Sequence, residues 1–185
     1  KLLNAMYFDV PQSRQRLIWI GVRPDIGREP TFPEAQGKPK TVREALNNVL
    51  VPDAELQPTK LKSTWQMTRV LAGQEAKKHF GLVVCQWDRP CQTIVKDAGN
   101  TTTGMIHPAG NRRLSIPELQ ALVSYPSTFI FQGGYKDRWA RIGNSVPPKF
   151  MYHIAAHICD TILTTGNVAT LEATGEAFPV VNGWP

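Results

Sequence analysis

An uninterrupted apolar run, Arg16–Val22 (RLIWIGV), follows the polar lead Val10-Pro11-Gln12-Ser13-Arg14-Gln15 and is closed by Arg23-Pro24. Its length and its Ile, Val and Trp content suit a strand buried in a sheet, and proline is a natural stop for one. A buried strand must pair with others, so this run commits the chain to a sheet-containing fold. The chain beyond it is broken up. Residues 24–40 hold Pro24, Pro30, Pro33 and Pro39 with Gly27 and Gly37, the composition of a loop or linker. Thr41–Leu50 reads as a short helix, with Thr41 as N-cap and Glu44 completing a capping box. Residues 51–63 are loop-like, and Trp65–Leu71 reads as a second short helix ending at Gly73. Gly81–Cys85 and Gln92–Val95 read as strands, and the stretch from Asp97 to Gly104 is polar and turn-rich. A further helix is expected over 115–123: Glu118 follows Ser115 by three residues, Pro117 stands in the first turn, and Tyr125-Pro126 ends it. A last helix is expected from near Pro147, because Phe150, Ile154, Ile158 and Ile162 recur at every fourth position. From Thr164 on, the chain is rich in Gly, Thr and Ala without a period, and a loosely packed tail is expected. Short strands interleaved with short helices, and no internal repeat, place the chain in the α/β class.

The 185 residues suffice for one domain, or for a small domain with a piece of another. With 42% hydrophobic and 19% charged residues the composition is globular. No apolar run approaches the roughly 20 residues of a membrane helix, and no charged-then-apolar leader opens the chain, so neither a membrane partner nor secretion is expected. The chain begins at Lys1 rather than Met and is therefore expected to be a piece of a longer polypeptide or a processed chain. The three cysteines, Cys85, Cys91 and Cys159, are odd in number and irregularly spaced, which argues against a disulfide framework and suits a reducing compartment. His153 and His157 stand four apart, but the glutamate of a metal-binding HExxH is missing, and no metal site is expected.

The formal charge of +6 is unevenly placed. Lys149 is the last basic residue, so residues 1–149 carry 21 bases against 12 acids. Such a basic body favours a polyanionic partner, since each neutralised phosphate releases a counterion. Arg14 and Arg16, at the entrance to the first strand, would point to opposite faces of an extended segment and have the planar donors suited to a phosphate and a base edge; on this segment alone the alternative is two surface arginines at a strand start. Gly143-Asn144-Ser145, ahead of the last helix, reads as a turn that opens it, with free N–H groups and Asn144 or Ser145 as a cap.

These blocks resemble those of DNA (cytosine-5)-methyltransferases. YFDVPQSRQRLIWIGVR is similar to the family's motif VIII, a Pro-Gln-x-Arg-x-Arg before a hydrophobic strand. His107-Pro108, Asn111–Leu119 (NRRLSIPEL) and Ser124-Tyr125-Pro126 resemble motif IX. Arg141–Pro148 (RIGNSVPP) is similar to motif X and is the most specific of the three. The resemblance covers roughly residues 2–24 and 87–160, and the interval falls where the family keeps its variable target-recognition segment. It implies a fragment of a Rossmann-like methyltransferase core (residues 1–24, with the motif X helix in 135–163) and a small, mostly β target-recognition region (25–111). Motif IX would occupy 112–134 and a tail 164–185. By the same resemblance, Arg16 would contact the target cytosine, Arg14 a phosphate or the supporting network, and Gln12 would help hold the recognition loop. Arg112 and Arg113 would meet DNA, and Asn144, Ser145 and Val146 would border S-adenosylmethionine. Motif IX departs from the family pattern at Pro117 and at Val123–Pro126. The implied partner is double-stranded DNA, the setting a bacterial or phage restriction–modification system, and the location the cytoplasm at the nucleoid.

Pro90-Cys91-Gln92 invites a reading as the family's nucleophile triplet. Its context, Trp87–Ile94 (WDRPCQTI), instead resembles the family's Asp-x-Pro-x-x-Thr-Ile element, and it lies after motif VIII, whereas the nucleophile precedes it. No Phe-x-Gly-x-Gly turn and no Glu-Asn-Val block occur. The nucleophile and most of the cofactor site are therefore expected in a missing N-terminal half or a partner chain, and this chain alone is expected to be inactive. The alternatives are a non-catalytic DNA-binding module derived from a methyltransferase, and one subunit of a split enzyme.

Overall fold

A computed structural model describes residues 1–58, 75–76, 79–97, 104–109 and 112–163. The helix expected over Trp65–Leu71, most of the turn-rich stretch after Asp97, and the tail from Thr164 lie outside the described residues. Strands β1 (Leu2–Asn4) and β2 (Gln15–Leu17) pair antiparallel, Leu3 opposite Arg16. The short helix α1 spans Val42–Leu46. A five-stranded sheet comes next, from β3 (Gln57–Pro58), β4 (Glu75–Ala76), β5 (His79–Val84), β6 (Gly104–Ile106) and β7 (Arg112–Arg113). Its spatial order is β3-β7-β6-β5-β4, antiparallel except for the β5–β6 pair. Three helices complete the chain: α2 (Ile116–Leu122), α3 (Tyr135–Asn144) and α4 (Pro148–Ile158), the last running into a π-helical turn over Cys159–Leu163. Mixed helices and small sheets give an α/β fold.

Both capping boxes form as the local spacing dictates. Thr41 Oγ1 accepts the Glu44 N–H, and the Glu44 carboxylate accepts the Thr41 N–H. Ser115 and Glu118 do the same at the head of α2. Each box satisfies backbone donors that the first helical turn leaves orphaned. α1 nevertheless stops at Leu46 rather than Leu50, with Leu50 almost fully exposed. The strand expected over Arg16–Val22, β2, is also shorter than that run. Only Gln15–Leu17 pair, because β1 offers three residues of partner and no other described strand flanks β2. Beyond the pairing, Trp19 is 85% exposed, and Leu2 and Leu17, opposite each other, are 59% and 58% exposed. Gln92–Val95 forms no strand. The backbone pairing with the Pro11–Ser13 segment lies one residue earlier: Cys91 N–H donates to Pro11 O at 2.9 Å and Ser13 N–H to Cys91 O at 2.7 Å, while from within 92–95 only the Thr93 hydroxyl reaches that segment, donating to Ser13 O at 2.7 Å.

Burial divides the apolar residues into two clusters. The larger joins β5 and β6 to α2 and α3, with Leu114, Leu119, Trp139 and Ile142 fully buried. The smaller joins the first strand to α4: Phe8 and Phe150 rings lie 5.3 Å apart, beside Leu3, Val10 and Ile154. The expected i+4 stripe on α4 faces this cluster, with Ile158 packed at its margin and Ile162 buried one turn on. Among the described residues no helix is long and apolar enough to cross a membrane, and no group of three His, Cys, Asp or Glu could hold a metal ion.

Candidate functional site

Arg14 stands where the motif VIII-like segment enters β2. Its backbone is tied to the first strand on both sides: its N–H donates to Asn4 Oδ1 at 3.0 Å, and its carbonyl accepts the Ala5 N–H at 2.9 Å. Its side chain points inward and is 3% exposed. Nη1 donates to the carbonyl of Ile94 at 2.9 Å, and Nη2 to the carbonyl of Gly143 at 2.7 Å. Burial, with the nearby Arg16 charge second, lowers its pKa to about 10, so it remains a cation at neutral pH. Of the two roles expected for Arg14, this geometry matches the supporting network. A phosphate contact conflicts with a buried guanidinium whose terminal nitrogens already serve two carbonyls.

Gly143 lies inside α3, where glycine weakens a helix. Its reason is close approach: a Cβ there would fall 2.6 Å from the backbone of Val95 and Lys96. Trp139, one turn earlier on α3 and fully buried, donates from Nε1 to the Val95 carbonyl at 2.8 Å. α3 is a helix that the sequence reading missed, although Tyr135, Trp139 and Ile142 carry the i, i+4, i+7 signal. An isolated helical glycine in a motif was the available hint of backbone contact.

The turn after α3 corrects an expectation. Asn144 closes α3 rather than opening α4, and Ser145 is the C-cap, its N–H and Oγ both donating to Ile142 O. α4 begins at Pro148 with Pro147 as its N-cap, which offers no capping side chain; Ser124 Oγ accepts the Lys149 N–H of the first turn at 3.2 Å. Asn144 is exposed, Ser145 partly exposed and Val146 41% exposed. Arg16, on β2, is partly exposed, with Nη1 on the carbonyl of neighbouring Gln15. Gln12 is fully buried; its backbone bridges to Cys91, and neither amide atom of its side chain meets a partner.

Arg112, expected on DNA, turns to Glu118 in a two-pronged pair, both N–O distances 2.7 Å. Glu118 is 3% exposed and also accepts from the Ser115 N–H and Oγ. Burial pushes its pKa up, but the bonds from Arg112 and then Ser115 outweigh that and hold it below the usual 4.5. His107 Nε2 lies 3.4 Å from the same carboxylate. Burial first and the Arg112 charge second lower the His107 pKa, against the pull of Glu118. Arg113, also on β7, is partly exposed. Cys91 is 1% exposed, its sulfur 3.7 Å from that of Cys85. The Cys85 contact and burial push its pKa well up, the reverse of what a nucleophilic thiolate needs. His157 meets Thr31, Nε2 to Oγ1 at 2.9 Å, rather than forming a metal site with His153.

Comparison with known proteins bears on the whole of this arrangement. The type II methyltransferase M.Eco47II of Escherichia coli is 24% identical over 88% of this chain and 46% of its own. M.Sau96I of Staphylococcus aureus is 28% identical over 83% and 41%, and M1.HphI of Haemophilus parahaemolyticus is 31% identical over 84% and 46%. The chain thus spans less than half the length of these relatives. In fold, it matches an Escherichia coli prophage-encoded protein described as a DNA modification methyltransferase, with TM-score 0.69 at 19% identity over 87% of this chain and 59% of that one. The Entamoeba histolytica methyltransferase EhMeth matches with TM-score 0.54 at 17% identity over 86% and 52%. The family model for C-5 cytosine-specific DNA methylases matches residues 1–160, which hold every contact of the Arg14 joint, and the chain belongs to that family.

Proposed function

We propose that this chain is the C-terminal part of a DNA (cytosine-5)-methyltransferase, supplying DNA recognition and one edge of the cofactor pocket. The observation that carries the reading is the Arg14 contact set, which gathers the motif VIII-like, Asp-x-Pro-x-x-Thr-Ile-like and motif X-like segments at one point. Arg16, two residues on, presents a partly exposed guanidinium whose planar donors suit the edge of an extruded cytosine. Asn144 and Val146 offer an exposed amide and an exposed apolar side chain, which fit the edge of a pocket for S-adenosylmethionine. When bound, that cofactor supplies the methyl group. Arg113 is assigned to the DNA surface of the basic body. Arg112 is assigned first to holding α2 through Glu118, with its 23% side-chain exposure leaving an edge toward DNA. Gln12 holds the recognition segment through its bridge to Cys91. The exposed Leu2 and Leu17 on the two-stranded sheet, with Trp19 just beyond it, form the surface on which the rest of the catalytic core packs, whether it belongs to the same polypeptide or another.

The test is methyl transfer to cytosine-containing duplex DNA. The isolated chain should show none, and adding a polypeptide that carries the Pro-Cys nucleophile and the glycine-rich cofactor turn should restore it. Robust transfer by the isolated chain that disappears in Cys91→Ser would overturn the reading.

A further inference from the structure

Arg14 connects places far apart in the chain. Ile94 lies 80 positions away and Gly143 lies 129 away, yet one guanidinium holds both carbonyls. On its backbone side, Arg14 is bound to Asn4 and Ala5 and leads directly into β2, which carries Arg16. On the other side, Gly143 leads directly into Asn144–Val146. The segment between them cannot slip: Trp139 Nε1 holds Val95 O at 2.8 Å, and Gly143 packs without a Cβ against Val95 and Lys96. A shift of the 144–146 turn along α3 therefore drags residues 94–96, the Arg14 fork and the start of β2 together.

The choice of residue points the same way. No ion pair of Arg14 occurs among the described residues, and its Nε meets no partner. A buried cation facing neutral carbonyls has no counter-charge, so its hydrogen bonds offset the desolvation cost only in part, and for stability alone apolar packing serves as well or better. What the guanidinium offers uniquely is a rigid plane with two parallel donors.

We propose that Arg14 is a positioning residue that couples the base-contacting strand of Arg16 to the cofactor-side turn Asn144–Val146. The inference rests on the roles proposed for those two ends, but the coupling itself can be tested without them. Hydrogen exchange is measured on the isolated chain, following the Ile18 amide, bonded to Lys1 O, and the Ser145 amide, bonded to Ile142 O. The Val123 amide, at the buried C-cap of α2 and bonded to Leu119 O, serves as the reference for global opening. Arg14→Lys keeps the charge and loses the fork. It should speed exchange at both ends by about tenfold, the scale of an ordinary coupling energy, and leave Val123 unchanged. Trp139→Phe, which cuts a tie on the α3 side alone, should speed exchange at Ser145 and leave Ile18 as it was. Equal acceleration at all three amides in Arg14→Lys, or acceleration at one end only, overturns the coupling whether or not the chain acts in methyl transfer. In the reconstituted enzyme, Arg14→Lys should raise KM for S-adenosylmethionine and lower kcat together, about tenfold each, whereas Arg16→Ala should lower kcat at unchanged cofactor KM. An Arg14→Lys enzyme with wild-type cofactor KM counts equally against the proposal.

Discussion

At the entrance to β2, the Arg14 guanidinium closes on two neutral carbonyls; beside α2, that of Arg112 closes on a carboxylate. Arg112 was expected at the DNA and Arg14 at a phosphate or in the supporting network; both turn to acceptors within the chain. Their acceptors separate them. The Glu118 carboxylate compensates the Arg112 charge, accepts from Ser115 as well and lies near His107, so this cluster can titrate. The Arg14 site has fixed dipoles for acceptors and nothing that gains or loses a proton at neutral pH. The first region therefore depends on shape and the second on charge. Substitutions that change shape without charge, or charge without shape, should act on one region and spare the other.

The largest effect should come from shape. In Gly143→Ala the new methyl group meets backbone atoms of Val95 and Lys96 at 2.6 Å, and neither a rotamer change nor a flexible side-chain end can relieve that. We expect a loss of about 3 kcal/mol, at the upper end of ordinary overpacking costs, read as a lower urea midpoint at unchanged slope. The Arg112–Glu118 pair should survive, so the acid sensitivity of that cluster should be retained. A Gly143→Ala chain as stable as the wild type would show that α3 and residues 94–96 can part, and the shape-based account of this region would fail.

Charge without shape comes next. Glu118→Gln is nearly isosteric but ends the two-pronged pair with Arg112 and weakens the capping box at Ser115. Breaking a fully buried pair costs about 3–5 kcal/mol, but Arg112 keeps 23% of its side chain exposed, so water recovers part of that. About 2 kcal/mol is expected, measured by the same urea melts. Exchange at the Ile18 and Ser145 amides should not rise beyond what global destabilisation explains. If those amides respond selectively, the two regions are not independent.

This contrast also shows what could be read from the chain in advance. The capping boxes at Thr41 and Ser115, and the four-residue stripe from Phe150 to Ile162, were legible because each is local: the partners lie within one or two turns. The Arg16–Val22 strand was overestimated because strand length depends on a neighbour, and β1 provides three residues. Gln92–Val95 read as a strand from its residues, but the backbone pairing stops at Cys91, and the Ile94 and Val95 carbonyls accept from the side chains of Arg14 and Trp139 and not from a ladder. The family blocks were legible as patterns; the direction of Arg14 was not, because its acceptors are backbone carbonyls far along the chain and leave no side-chain signature. The reversed role of Asn144 and Ser145 came from missing α3, which turned a helix end into a helix start.

The smallest effect should be that of pH, and it sharpens the contrast most. In the folded chain His107 titrates below its usual 6.5, because burial and then the Arg112 charge disfavour its cation. The unfolded chain therefore binds the proton first, and the His107 contribution to stability is complete above about pH 6.5 and declines as pH falls through and below that value. Glu118 also titrates below its usual 4.5 when folded, so its contribution is present above that value and is lost as pH falls toward its folded pKa. Both changes have the same sign, and Tm should fall in two steps between about pH 8 and pH 3. His107→Gln should remove the upper step and keep the lower, since Gln cannot charge; Glu118→Gln should shrink the lower to the part carried by Asp9 and Glu44, whose carboxyls are also held below their usual values. At the Arg14 joint, exchange at Ile18 and Ser145, corrected for intrinsic rates and for global opening, should stay level over the upper step. A Tm that holds constant from about pH 7 to 5 in the wild type, or an upper step that persists in His107→Gln, would show that the charge-dependent region does not rest on this cluster.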